Sequence, residues 1–335
     1  MNGGPGHPTV SVALCTHNGA PYLREQLLSI LNQSWEPQEV VLSDDASSDD
    51  TLAVADRAFA EWRSDHADSG LTLRIIRNEV PLGVAANFEQ ALAACSGDLC
   101  ALSDQDDVWL ARRLEVMVAE FTRRPDLLLL HSDARLVDGQ GLPLHGTLLE
   151  TLGVTGDEKK DVHEGRAFDV LLRRNIITGA TTVVRRELVD RARPFPLAWV
   201  HDEWLAMVAA ATGGVDFLDD TLIDYRQHGG NQIGVTNLDA AGRLGRLQAP
   251  RTQRNERLLA RAEALAERAP GLVPVPTAGH LRQIGAKAAH ERARSSLPTA
   301  RLRRVIPVLR QWRTGGYARF GRGPQDVLRD LVQPL

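Results

Sequence analysis

Ala101-Leu102-Ser103-Asp104-Gln105-Asp106-Asp107-Val108-Trp109 places three carboxylates within four positions, directly after a short apolar run, Asp98 to Ser103, that reads as a buried strand. Asp104 and Asp106 are two apart, and in extended backbone residues i and i+2 point to the same side. Two like charges aimed at one point repel unless a cation sits between them. The plainer reading is an acidic turn that starts the next helix, with Asp106 or Asp107 as its cap. What surrounds the stretch decides between the two.

Working back, the chain alternates strand and helix. Val10 to Cys15 reads as a buried strand, broken by Thr16-His17-Asn18-Gly19-Ala20-Pro21. Tyr22 to Asn32 carries Leu23, Leu27, Leu28, Ile30 and Leu31 at helical spacing, with Pro21 suited to a first turn. Glu39 to Ser43 is a second strand, followed by Asp44-Asp45-Ala46-Ser47-Ser48-Asp49-Asp50 and a helix over Thr51 to Arg63. Leu71 to Arg77 and Asp98 to Ser103 are strands three and four, with a helix over Ala85 to Ala94 between them and another over Leu110 to Arg123. Four such repeats predict an α/β fold with a parallel sheet. Ligands of these sheets bind beyond the carboxyl ends of the strands. Thr16-His17-Asn18, Asp44-Asp45 and Asp104 to Asp107 all fall there, which argues against three unrelated turns. No Gly-x-Gly-x-x-Gly follows strand one and no Walker-type Gly-Lys-Ser/Thr occurs. A nucleotide held without a glycine cradle needs another way to neutralise its phosphates, and a carboxylate-bound divalent cation supplies one.

Working forward, Leu127 to Ser132 reads as a strand and Asp133 to Gly141 as a strand and turn. Gly146 to Glu164 reads as a long loop. Phe168 to Arg173 is a short helical piece, Thr181 to Val184 a strand, and Asp202 to Ala211 a helix. Val215 to Leu218 and Thr221 to Asp224 read as short strands before a polar loop over Tyr225 to Gln232.

From about Ala240 the character changes. The net charge of −4 over 335 residues averages two unlike parts. Residues 240–335 hold 19 Lys+Arg against 6 Asp+Glu, leaving 20 against 37 before them. Such asymmetry suggests a basic appendage with an anionic partner. Helices are predicted over Arg251 to Ala269, Ala278 to Arg294 and Thr299 to Trp312. In the last, Arg303, Arg304, Arg310 and Arg313 alternate with Leu302, Val305, Ile306, Val308, Leu309 and Trp312. This basic amphipathic pattern suits either an anionic membrane surface or a helix packed on the main domain. Cys15, Cys95 and Cys100 give no disulfide framework or zinc motif. The amino-terminal residues lack the charged and apolar regions of a signal peptide, and no stretch approaches 18 uncharged apolar residues. The expected location is the cytoplasm, with peripheral contact at the inner face of the plasma membrane. No nucleic-acid partner is expected.

The ordered set Asp44-Asp45, Asp104 to Asp107, His201-Asp202-Glu203-Trp204 and His228 resembles the family 2 inverting glycosyltransferases, which have the nucleotide-sugar-binding GT-A fold. Val10 to Gly19 is similar to that family's first strand and Thr-Tyr-Asn loop, with His17 where Tyr is commoner. Leu27 to Gln33 matches Leu-x-Ser-Ile-x-x-Gln, and Asp44 to Asp49 matches Asp-Asp-x-Ser-x-Asp. Arg77-Asn78 through Gly83 and Asn87 matches Arg-Asn-x-x-x-x-Gly-x-x-x-Asn, and Gly97-Asp98 matches Gly-Asp. The resemblance covers about residues 9–235. Ser103 to Trp109, His201 to Trp204 and Tyr225 to His228 are most similar to the rhamnosyltransferase-like branch.

The resemblance implies a GT-A domain over 1–239, with a nucleotide-binding half at 9–125 and an acceptor-side half at 126–239. A basic helical region follows at 240–335. It implies a Mg²⁺ or Mn²⁺ ion held by Asp106, with His228 as a ligand from the far side. Asp104 is expected on the metal, on the ribose or on a metal-bound water. Asp44 is expected to accept from a base N–H with Thr16 beside it, and Asn18 and Asn87 to line the nucleotide-sugar site. A turn or cap role is preferred for Asp45. Asp202 matches the position of the base that inversion requires, with Glu203 the runner-up. Trp109 and Trp204 suit either sugar stacking or core packing. The implied reaction moves a sugar, rhamnose from dTDP-rhamnose by the branch resemblance or one carried by UDP, onto a cell-envelope glycan or lipid-linked acceptor. Two rivals stand beside it: a binding protein that keeps the fold without catalysis, and a sugar nucleotidyltransferase. The latter usually opens with a Gly-rich, basic phosphate loop, which Thr16-His17-Asn18-Gly19 is not.

Overall fold

The computed structural model of the chain describes residues 7–228 and 251–334. Gly229 to Gln232 of the expected polar loop, and the 239/240 boundary, lie outside the described residues. The chain divides into two compact units.

In the first unit β1 (Val10–Thr16), α1 (Ala20–Leu31), β2 (Glu39–Asp44), α2 (Thr51–Asp65), β3 (Thr72–Arg77), α3 (Val84–Ala94) and β4 (Leu99–Ser103) follow in turn. The four strands pair in parallel in the order β3-β2-β1-β4. Every residue of β1 and β4 is buried, as expected of a sheet covered on both faces. Leu23, Leu27 and Ile30 of α1 enter one core with Leu14, Leu42 and Leu99. Their spacing of three and four puts them on one helical stripe.

Beyond β4 the sheet becomes mixed. β5 (Val108–Trp109) is a two-residue strand, followed by α4 (Arg113–Arg123), β6 (Leu127–Asp138) and β7 (Pro143–Thr147). The long loop expected over Gly146 to Glu164 is instead the end of β7, α5 (Leu148–Thr151) and α6 (Gly156–His163). Each helix opens with a reciprocal capping box, Thr147 with Glu150 and Thr155 with Glu158. These two Thr-x-x-Glu signals outweigh the weak apolar periodicity. Next come α7 (Ala167–Arg173), β8 (Thr182–Arg185), α8 (Arg186–Ala192), α9 (His201–Thr212) and β9 (Gly214–Gln227). β8 is antiparallel to β4 and β6, and β9 is parallel to β6.

β9 replaces the two short strands and the start of the polar loop expected there. Ser132 faces Leu218 but Asp133 faces Thr221, so Asp219 and Asp220 bulge out. Regular pairing resumes at Arg135 with Asp224 and runs to Asp138 with Gln227. Arg135 donates from Nε and Nη2 to the two carboxylate oxygens of Asp224, at 2.5 and 2.7 Å, at the point of resumption.

The second unit takes α7 and residues 210–212 together with the described chain from 251. Its helices are α10 (Arg251–Arg268), α11 (Ala278–Ser295), α12 (Arg301–Arg313), α13 (Gly316–Phe320) and α14 (Pro324–Val332). Its interior is charged. Arg294, 1% exposed, donates to Asp330 at 2.7 Å and to Glu291 at 3.0 Å, and the Tyr317 hydroxyl donates to Asp330 at 2.8 Å. Arg251, Arg294 and Arg304 are all buried, so part of the basic excess read from the sequence serves the unit's own core.

Candidate active site

The site begins where β1, β2 and β4 end. The loop after β1 is stapled on both sides. Toward β2, the Thr16 hydroxyl donates to Asp44 Oδ1 (2.8 Å), Asn18 N–H to Ser47 Oγ (2.8 Å), and Ser48 N–H to Asn18 Oδ1 (2.9 Å). Toward β4, Gln105 Oε1 accepts from His17 N–H (2.8 Å) while its Nε2 donates to His17 O (3.1 Å). A Cβ on Gly19 would stand 2.2 Å from Gln105 Oε1, so the glycine is what lets this clasp close. Asn18 and Ala46 hold positive φ, 50° and 60°, in the facing turns.

Helix α1 braces the acidic stretch from behind. Gln26 Nε2 donates to Ser103 Oγ (2.6 Å), Trp109 N–H to Ser29 Oγ (3.0 Å), and Gln33 Nε2 to Leu110 O (2.9 Å). The polar residues of this helix therefore fix the backbone on both sides of Asp104 to Asp107.

Asp106 and His228 meet. His228 Nε2 lies 2.7 Å from Asp106 Oδ2, and its ring stacks on Tyr22 at 4.6 Å. Arg226, two residues earlier and buried, ties the pair to the frame. Its Nε donates to Asp106 O (2.7 Å), its Nη2 to Glu25 (2.7 Å), and its backbone N–H to Asp107 Oδ1 (3.0 Å). Its guanidinium also lies 5.2 Å from the Tyr22 ring centre.

The acids share one field. Burial pushes the Asp104 carboxyl up to about 7, helped by the charges of Asp106 and Asp202. Burial likewise raises Asp107, again with Asp106 and Asp104 adding to it. The Tyr225 phenol is raised by burial and by Asp104, Asp107, Asp106 and Asp202 together. Asp202, in the first turn of α9, accepts from Gly179 N–H at 2.9 Å and from its neighbour Glu203 N–H at 2.7 Å. A Cβ on Gly179 would stand 2.8 Å from His201 Nε2, so this close approach also needs glycine. His201 is buried face to face on Phe88, with ring centres 3.8 Å apart, and burial pulls it down to about 3, so it is neutral.

The donor set suits a divalent cation. Such ions take one or two carboxylates and leave positions for substrate phosphates, and neutral imidazole is the commonest side-chain metal ligand. Burial is the main cause of the raised Asp104 and Asp107 pKa values, and the repulsion among the acids that adds to it is what a cation would relieve. Among the described residues no three His, Cys, Asp or Glu side chains converge as a closed metal cage.

Two expected contacts, at Asp44 and Asn87, require correction, and for Trp109 and Trp204 the geometry favours core packing, one of the two readings left open. Asp44 is 0% exposed, and its oxygens are taken by Thr16, Ser47 N–H and the Ser47 hydroxyl. It shapes the turn that a base would meet and offers no free face to a base N–H. Asn87, 2% exposed, accepts from Ser43 Oγ (2.6 Å) and donates to Ser43 O (2.9 Å), so it joins α3 to β2. Trp109, 3% exposed, lies under the Arg113 guanidinium at 3.7 Å. Trp204, 0% exposed, donates to Ala192 O at 2.8 Å. Neither tryptophan face is open to a sugar. Asp45 pins the start of α3 through Leu82 N–H (2.6 Å) and Gly83 N–H (2.9 Å). Glu203 follows Asp202 in the same turn and is half-buried.

The sequence reading assigned no role to Gln105, Arg226, Tyr225, Tyr22 or Gly179. A signal existed for two of them. Tyr225 and Arg226 lie in the same four-residue motif as His228, but a polar-loop reading hid that they end a strand.

The profile described as Glycosyl transferase family 2 matches residues 11–191. The chain belongs to this family, and its fold is GT-A. Among curated relatives, EpsE of Bacillus subtilis, named as a glycosyltransferase, is 38% identical over 119 residues, which is 36% of this chain and 39% of EpsE. The Escherichia coli UDP-Glc:alpha-D-GlcNAc-diphosphoundecaprenol beta-1,3-glucosyltransferase WfgD is 23% identical over 59% of this chain and 69% of its own. The matches span between 39% and 59% of the lengths of the first curated relatives. Among solved structures, S. aureus TarS 1–349 in complex with UDP-GlcNAc superposes with a TM-score of 0.55 at 18% identity, covering 95% of this chain and 82% of TarS. The mannosyltransferase PcManGT from Pyrobaculum calidifontis, in complex with GDP-Man and Mn²⁺, gives 0.51 at 19%, covering 97% and 85%.

Proposed function

We propose that the chain is an inverting, cation-dependent glycosyltransferase. It moves a sugar from a nucleoside-diphosphate donor to a hydroxyl of a cell-envelope glycan or lipid-linked acceptor. The observation that carries the reading is the meeting of Asp106 with His228 in the same electrostatic field as Asp202. Asp106 and His228 would hold the cation, with Asp104 as a further candidate. When bound, that Mg²⁺ or Mn²⁺ supplies positive charge against the departing diphosphate.

Asp202 takes the proton of the acceptor hydroxyl as its oxygen bonds the anomeric carbon on the face opposite the diphosphate. The bond from that carbon to the phosphate oxygen breaks with its electron pair, inverting the centre. Gly179 N–H, held on one Asp202 oxygen, orients the carboxylate for this step. Glu203 is the runner-up for the base. Thr16 and Asn18 shape the nucleotide side of the cleft.

The branch resemblance of the Ser103 to Trp109, His201 to Trp204 and Tyr225 to His228 motifs supports dTDP-rhamnose as donor. A UDP-sugar is the second reading, favoured by the UDP-Glc donor of WfgD and the UDP-GlcNAc bound to TarS. The undecaprenol-linked acceptor of WfgD supports a lipid-linked acceptor here, which would bring the enzyme to a bilayer surface. The test is transfer from a panel of nucleotide-sugars with Mn²⁺, run beside calorimetry on Asp202→Asn. Loss of transfer by roughly a hundredfold or more, with donor affinity nearly unchanged, is the expected result. Loss of both, or of neither, removes Asp202 from the base role.

A further inference from the structure

Helix α12 presents its apolar stripe to solvent. Leu302 is 88% exposed, Ile306 79%, Leu309 51%, Trp312 47% and Val305 40%. At 100° per residue these five fall within an arc of roughly 120°. A helix so patterned ordinarily turns that arc inward. Here Arg304 and Val308 face the unit's interior instead.

Arg304 explains the orientation. Its guanidinium donates to Pro298 O (2.7 Å), Thr299 O (2.7 Å), Gln333 O (2.7 Å) and Asp330 O (3.2 Å). Two of these carbonyls belong to the carboxyl end of α14, so rotating α12 would forfeit four hydrogen bonds from one buried guanidinium to backbone carbonyls. The exposed stripe is therefore locked outward.

Arg301, Arg303 and Arg310 flank the stripe and Arg313 closes its carboxyl end; all four are exposed and form no ion pair among the described residues. From Arg292 to Gln325 the chain has nine arginines and no acidic residue. An apolar strip bordered by unpaired cations, with Trp312 near its end, has the chemistry of a helix lying in a membrane interface. No helix among the described residues is long and apolar enough to cross a membrane.

We infer that α12 docks the protein on an anionic phospholipid surface, its apolar stripe at the acyl boundary and its arginines among the headgroups. A second protein copy would cover the apolar strip but would bring the same arginines together, so charge complementarity favours lipid. The inference rests on the proposed lipid-linked acceptor only for its biological purpose. Vesicle binding is read without donor or acceptor, so either idea can fail alone.

The test is co-sedimentation of the full chain with vesicles of phosphatidylcholine alone or with phosphatidylglycerol. Binding is expected to anionic vesicles only, weakening as salt rises. Ile306→Asp with Leu309→Asp should weaken it roughly tenfold or more, while circular dichroism and donor affinity stay those of the parent. Arg303→Gln with Arg310→Gln should also weaken it, without involving the apolar strip. Absence of binding to anionic vesicles overturns the inference, as does binding that neither pair reduces. A dimer in solution that the Asp pair dissociates, with no vesicle binding, assigns the face to a second copy and overturns it equally.

Discussion

Nε2 of His228 lies 2.7 Å from Oδ2 of Asp106, although 122 positions separate them in the chain. The contact needs β9 to run beside β5 and deliver its end to the loop after β4. The contact is a hydrogen bond, and the two side chains it joins are those that would hold a cation.

Asp106→Ala should abolish cation-dependent donor binding, and His228→Ala should weaken Mn²⁺ binding at least about tenfold. Titration calorimetry with nucleoside diphosphate and Mn²⁺ reads both. Undiminished transfer in excess chelator would refute the metal assignment.

Arg226 acts through its neighbours, because it touches the Asp106 carbonyl, Glu25 and the face of Tyr22. Arg226→Met should lower metal affinity about 10–100-fold, as removal of supports behind metal ligands commonly does. Saturating Mn²⁺ should then recover most of kcat. A loss of thermal stability with unchanged metal affinity would mark Arg226 as a packing residue alone.

The Asp104 pKa of about 7 has a sign that can be checked. An unfolded chain releases this proton near the ordinary aspartate value of about 3.9. Between there and pH 7 the folded, metal-free protein holds more protons, so this group's stabilising contribution is present at low pH and lost as pH rises through about 7. Cation binding should expel roughly one proton at pH 6, seen as a calorimetric heat that depends on buffer ionisation. The Tm gain from a fixed, low Mn²⁺ concentration should be larger at pH 8 than at pH 6. Equal gains and no proton release would count against Asp104 as a member of the site.

Trp204→Phe tests the core assignment of that residue. Loss of the bond to Ala192 O in a fully buried position should cost about 1–3 kcal/mol. KM for donor and acceptor should not move. A raised acceptor KM at unchanged stability would return the residue to the sugar site.

The first half was legible because its signals are local. Apolar runs of strand length, punctuated by Gly, Pro and Asp, gave β1 to β4 nearly to the residue, and the placement of Thr16, Asp44 and Asp104 at strand ends followed. The meeting of Asp106 with His228 was reached through resemblance, since nothing local in sequence brings residues 106 and 228 together. What was missed depends on tertiary neighbours. Asp44 and Asn87 look like ligand contacts until Thr16, Ser47 and Ser43 are seen to occupy them. Arg304 resembles its exposed neighbours on α12 until the carbonyls of α14 are placed beneath it. α5 and α6 are too short for periodicity to reveal, and only their capping residues announce them.

The Arg135–Asp224 pair serves as an index mark for the second half of the sheet. Slack in the chain collects at Asp219 and Asp220, before the mark, so a relative that gained or lost a residue there could still present Tyr225, Arg226 and His228 in phase. The same change after Asp224 would advance the strand by one step and turn the imidazole to the wrong face. Tolerance to insertion should therefore drop sharply at a single point in β9.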